Sequence, residues 1–154
     1  MSKQIEIRPA TKSDLAYVGE NLRLADFEEY VMSTGRHPAK RFARSLDGVP
    51  DLLCGTVNGR PACIFGCYAG RPWFLGTEDI EGPQVGLVMA KEGRKLFRQW
   101  ASEQPDGTLS NEVYDDNVLH KRYIELLGCT LSDRTITKGP LGGIFRPFTF
   151  TYKA

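Results

Sequence analysis

The stretch NEVYDDNVLHKRYIELLGC, residues 111–129, decides the fold. Its opening residues read as a strand, Asp115-Asp116 makes an acidic turn, and VLHKRYIELL spaces its apolar residues as an amphipathic helix before Gly128 stops it. Asp115, Asp116 and Asn117 each carry an oxygen that can cap the helix N-terminus. Strand, helix and new strand in that order form a crossover that closes a sheet.

The same reading extends outward. Residues 108–114 form the strand, 117–127 the helix, and 129–137 and 144–152 two closing strands joined by the glycine-rich turn KGPLGG. Upstream, Leu96, Phe97 and Trp100 supply the apolar stripe of a helix over 90–102, preceded by the irregular stretch TEDIEGPQVG. Asn58-Gly59 is a two-residue hairpin signal between strands 52–57 and 62–68, and AGRP turns into a third antiparallel strand at 73–76. At the start, IEIRP is a short strand ended by proline. Thr11 with Asp14 forms an acidic capping box for a helix through Leu15, Val18 and Leu22. LADFEEYVMS and the basic AKRFARSL follow as further helices. Strands separated by helices and strands joined by hairpins together predict a mixed sheet.

Bulk properties narrow the function. The 154 residues suit a single domain, 1–154, with one ordinary core. Twenty basic and nineteen acidic residues leave a formal charge of +1, so no whole-protein field draws in nucleic acid or an anionic membrane. MSKQIEIRPATKSDL lacks the apolar core of a signal peptide, and no segment approaches the roughly 20 apolar residues of a spanning helix. A cytoplasmic protein is expected. Cys54, Cys63, Cys67 and Cys129 lack paired C-x-x-C spacing, and Cys63, Phe65 and Cys67 share one strand face as small apolar groups do. No metal is expected.

The element order, with residues 117–129, resembles the GCN5-related N-acetyltransferase (GNAT) family. Asn117 and Gly128 stand at the matching positions of the family helix N-x-x-[A/S]-x-x-[L/F]-Y-x-x-x-G-F, and IRPATKSDL is similar to the family's opening strand and helix cap. The resemblance implies an α/β fold: a mixed, mainly antiparallel sheet of about seven strands, helices on both faces, and a split between the fourth and fifth strands. It implies acetyl-CoA as cofactor and acyl transfer to a small-molecule or protein amine. A narrower pattern, Asn117, His120, Arg122, Tyr123, Ile124, Leu127 and Gly128, is similar to small GNAT-like proteins of tailed bacteriophages, including an internal virion or assembly protein of short-tailed coliphages. AGRPWFLGT and GPLGGIFRPFTF share that likeness.

Several residues depart from the family pattern. Ile124 stands where the family places its proton-donating tyrosine, and Tyr123 lies one residue earlier, ~100° away around the helix. The family's glycine-rich pyrophosphate loop is replaced by TEDIEGPQVGLVMAK, in which Glu78, Asp79 and Glu81 oppose an anion and Lys91 and Arg94 offset them only in part.

Acetyl transfer to an amine needs a base, a donor to the carbonyl oxygen and a proton for the leaving thiolate. Glu112 and His120 are the candidate bases, Tyr123 the remaining candidate acid, and Gln84, Gly86, Lys91 and Asn117 the candidate cofactor-binding residues. Each has a plainer role: Asn117 as a helix cap, His120 as a hydrogen-bonded helix residue, Glu112 as a solvated strand residue. Trp73 and Phe74 should point to opposite faces of their strand, and Arg36, Lys40, Arg41 and Arg44 should form a basic helix face. Two functions fit: an acyl-CoA-dependent N-acetyltransferase, or a non-enzymatic virion-assembly or host-protein-binding module on the same scaffold.

Overall fold

In the computed structural model, which describes residues 3–152 apart from the Lys40 side chain, the chain begins β1 (Ile5–Pro9), α1 (Lys12–Glu20), α2 (Leu24–Thr34) and α3 (Pro38–Ser45). A three-stranded meander follows: β2 (Leu53–Val57), β3 (Arg60–Tyr68) and β4 (Arg71–Gly76). After a 3-10 turn at Glu78–Glu81 come α4 (Pro83–Ser102), β5 (Thr108–Tyr114) and α5 (Val118–Leu126). The chain closes with β6 (Thr130–Leu131), β7 (Ile136–Lys138) and β8 (Gly143–Thr151).

Local chemistry explains most of these boundaries. Thr11 and Asp14 make both bonds of the expected capping box. Asn58 and Gly59 both have positive φ, 52° and 79°, as a type I′ hairpin turn requires. Helix α4 begins well before the expected residue 90, because Gly82 caps it and Pro83 takes the first helical position, where a missing N–H costs nothing. The acidic TEDIE ahead of it is the 3-10 turn, capped by the Thr77 hydroxyl.

The chain forms two antiparallel sheets, β1-β2-β3-β4 and β5-β8-β6, with β7 also pairing β8. The segment expected as one strand over 129–137 is broken into β6 and β7, giving eight strands among the described residues. Pro147 sits on β8 between the two pairings and has no N–H to donate. The split lies between the fourth and fifth strands, as expected. β4 and β5 run in the same sense and touch at one end only, through Ser110 N–H to the Gly70 carbonyl at 3.0 Å and Asn111 Nδ2 to the Pro72 carbonyl at 2.9 Å.

Helices cover both faces. Leu15, Val18, Tyr30 and Phe42 pack α1–α3 onto Cys54, Ile64 and Leu75. On the other face Val85 and Met89 of α4 meet Val57, Cys63 and Phe65, while Ile124 of α5 joins Leu109, Val113 and Phe148 of the second sheet. All four cysteines are free, and burial pushes the Cys54 thiol up to about 11 and Cys129 up to about 12, which suits packing rather than reactivity.

Gly128 follows the last turn of α5 with φ +93°, a left-handed conformation that lets the chain turn into β6. A Cβ there meets only the Phe150 ring at 3.5 Å, so the cost of alanine is backbone strain rather than collision. Gly128→Ala is expected to destabilise the protein by about 1 kcal/mol in urea unfolding, and a neutral result contradicts the cap.

Candidate functional site

The open end of the split is filled by side chains from α2 and α5. Asp26, with no exposed surface, accepts the Gly76 N–H on Oδ2 at 2.6 Å and the Arg23 guanidinium on Oδ1 at 2.6 Å. Glu29 accepts the Tyr114 N–H at 3.0 Å. One carboxylate thus satisfies the free edge of β4 and the other that of β5, which is why the strands part without leaving these donors orphaned. Asn117 ties the two together: it donates to Asp26 at 3.0 Å and accepts from Arg23 at 3.0 Å. It also caps α5 by accepting the His120 N–H.

His120 completes the cluster, is 5% exposed and borders the cavity between α4 and α5. Its Nε2 lies 3.0 Å from Asp26 Oδ2 and its Nδ1 3.4 Å from Glu29 Oε2. The Nε2 contact is off the axis of a hydrogen bond, so it is an ionic contact. Among the described residues no group of three or more His, Cys, Asp or Glu side chains is placed to hold a metal ion. Arg23 and His120 balance Asp26 and Glu29, leaving a buried cluster with no net charge.

Burial alone lowers the His120 pKa, but the charges and contacts of Asp26 and Glu29 outweigh it and push the imidazolium up to about 10. Burial raises the Asp26 carboxyl in turn, and His120, Asn117 and the Gly76 N–H together hold it below the usual range. The sign of the pH dependence follows. His120 binds its proton more tightly when folded, so its stabilisation is complete below the ordinary value of 6.5 and is lost as pH rises toward about 10. Asp26 contributes above its ordinary value of 3.8 and loses that contribution only in stronger acid. Urea unfolding is therefore expected to show falling stability from pH 6 to pH 9, with a flatter profile in His120→Gln. A wild-type profile as flat as the variant's contradicts the assignment.

Two cavities meet at the split. On the α4–α5 side a cavity of about 100 Å³ is lined by Phe65, Leu96, Phe97, Tyr123 and Ile124. On the α2–α3 side one of about 300 Å³ is lined by Tyr30, Phe42, Lys138 and Phe145. Trp73, Phe74, Asn111, Glu112 and Glu29 border both. Trp73 and Phe74 do point to opposite faces, Trp73 against Phe42 and Phe74 against His120 and Tyr123. Glu112 sits at this junction, paired with Arg71 at 2.9 Å and Lys138 at 3.8 Å.

The remaining sequence candidates lie elsewhere. Gln84 and Lys91 are exposed on α4, and Gln84 accepts the Lys3 N–H at 3.3 Å. Gly86 faces the Tyr123 hydroxyl, which donates to the Ile80 carbonyl at 2.8 Å and so ties α5 to the 3-10 turn. Burial pushes the Tyr123 phenol up to about 12. The structure therefore brings His120 and Asn117 into one cluster, sets Glu112 beside it, and leaves Gln84 and Lys91 apart. Sequence reasoning missed Arg23, Asp26 and Glu29. The available signal was an acid on the apolar face of a helix, since Asp26 lies one turn before Tyr30.

Comparison with solved structures shows the GNAT acetyltransferase fold. Ard1 from Thermoplasma volcanium is 16% identical, with a TM-score of 0.68 over 97% of this chain and 99% of that one. A GNAT-family acetyltransferase from Streptococcus pneumoniae is 11% identical, with a TM-score of 0.59 over 97% and 100%. An aminoglycoside acetyltransferase in complex with coenzyme A and kanamycin is 17% identical, with a TM-score of 0.60 over 96% and 95%. No protein-family model and no curated protein sequence matches the chain.

The residues present do not fit coenzyme A. A glycine cradle should leave room at the Cβ positions, yet a Cβ on Gly86 meets the Tyr123 hydroxyl at 3.3 Å and one on Gly93 meets Leu127 at 2.5 Å. Arg94 Nε donates to the Leu126 carbonyl at 2.7 Å, further closing the seam between α4 and α5. The turn before α4 carries Glu78, Asp79 and Glu81, with Asp79 paired to Arg60 and Glu81 to Arg23, while the Lys3 ammonium lies near the Gly82 cap.

Proposed function

We propose that this chain is a binding protein built on the acetyltransferase scaffold, with its coenzyme slot taken over by its own side chains. The observation that carries the reading is the narrowed seam between α4 and α5, where Tyr123 donates to the Ile80 carbonyl, Gly93 packs against Leu127 and a cavity of only about 100 Å³ is left. The charge cluster in the split supports it, because His120 already holds its proton between two carboxylates and is poorly suited to take another. The likeness of residues 117–128 to small phage proteins supports virion assembly in a host cytoplasm as the setting. Among the described residues no helix is long and apolar enough to cross a membrane.

A second reading, N-acetyl transfer to a small-molecule or protein amine, draws support from the two cavities that meet at Glu112. The likeness to an aminoglycoside acetyltransferase points the same way. In that reading Glu112, rather than His120, removes the ammonium proton. Thiol release from acetyl-CoA distinguishes the two, with a polyamine, an aminoglycoside and a lysine peptide as acceptors. The binding-protein reading expects only the uncatalysed rate. Turnover that saturates in both substrates and is abolished by Glu112→Gln overturns it.

A further inference from the structure

A third concavity, of about 620 Å³, lies away from the split, between the start of α1, the loop from α3 to β2, and the end of α4. Its floor is apolar: Leu46, Leu52, Leu96 and Trp100 all line it, and each is only half-buried. Large apolar side chains left partly exposed in one contiguous groove mark a surface that gains from being covered. The rim is acidic, with Asp47, Asp51 and Glu103 exposed around it. The one basic residue on the lining, Lys12, reaches Asp47 only at 3.9 Å, with the two side chains 91% and 67% exposed, too loosely to neutralise it. Among the described residues, neither Asp51 nor Glu103 has an ion-pair partner.

We infer that this groove is a docking site for a basic protein segment that carries an apolar anchor. An anchor residue covers Trp100 and the leucines, and Lys or Arg side chains on either side meet the three rim carboxylates. Charge complementarity selects this occupant: an acidic segment would set like charges together, and an uncharged one would cover the carboxylates without giving them partners. Tryptophan at the centre of such a groove is the residue type that most often dominates binding. The inference is independent of the fate of the coenzyme slot, because the groove shares with the two cavities of the split only Leu46, Leu96 and Trp100.

The chain has two tryptophans, so Trp73→Phe leaves Trp100 as the sole indole reporter. A capped peptide of lysine and leucine is titrated against this variant, with a glutamate and leucine peptide of the same spacing as control. The inference expects a saturable change in Trp100 fluorescence that weakens with added salt. It also expects at least tenfold weaker binding after Asp47→Asn, Asp51→Asn and Glu103→Gln together, and no response to the acidic peptide. These are exposed positions, and asparagine tolerates the positive φ of residue 51. The salt series and the acidic peptide test charge selection without any substitution at the rim. No saturable change, equal binding of the acidic peptide, or unaltered affinity in the triple variant overturns the inference.

Discussion

Asp26→Ala is expected to destabilise the protein by about 3–5 kcal/mol, the range for removing one partner of a buried ion pair. The size follows from what the substitution leaves behind. Asp26 has no exposed surface and receives the Gly76 N–H, the Arg23 guanidinium and the Asn117 amide, with the His120 ring 3.0 Å away. Without it Arg23 and His120 keep only Glu29 and the half-exposed Glu81 as counter-charges, and the β4 edge loses the partner of its Gly76 N–H. His120 then has less reason to hold its proton, so part of the loss is offset at pH values where the ring goes neutral. Urea unfolding at pH 6 measures the effect. A loss below about 1 kcal/mol would mean that water or a neighbouring group replaces Asp26 easily, contrary to its complete burial.

Phe42→Ala should cost a similar amount, about 3–5 kcal/mol. Phe42 is 1% exposed and lies edge-on to both Tyr30 and Trp73, with ring centroids 5.9 and 6.5 Å away. It also meets α1 where only glycine fits, since a Cβ on Gly19 would stand 2.9 Å from the Phe42 Cβ. That contact pins the short basic helix α3 to α1, so the cavity left by alanine cannot close without moving one of the two. Chemical unfolding by circular dichroism checks it, and a loss under about 2 kcal/mol would show that α3 collapses freely into the space.

Periodicity and caps made most of the fold legible. The Asn58-Gly59 hairpin, the Thr11–Asp14 box and the Gly128 stop each rest on contacts between near neighbours, which a sequence displays directly. The start of α4 was hidden because acidic TEDIE reads as loop, although Gly82-Pro83 carried the signal for a helix opening. The break between β6 and β7 depends on Pro147, which lies in a different strand from the segment it interrupts.

The site was legible in part. Asn117 and His120 were singled out in sequence and do sit together in the split. Their partners Asp26 and Glu29 are about 90 residues away along the chain and come together only by folding. The burial and charge of His120 were hidden for the same reason: a helix position can be read from spacing, but the carboxylates beside it come from another helix. Arg41 and Arg44 are exposed on α3 as the basic face predicted, whereas Arg36 precedes the helix and Lys40 has its side chain outside the described residues.

The central claim is that Tyr123, Leu127 and the acidic turn narrow the seam between α4 and α5 too far to admit a coenzyme. Calorimetric titration of acetyl-CoA into the unmodified protein at moderate salt tests it directly. The account predicts no saturable heat. A one-site isotherm with a dissociation constant in the low micromolar range would contradict it, and would mean that the Tyr123 contact with the Ile80 carbonyl opens at little cost.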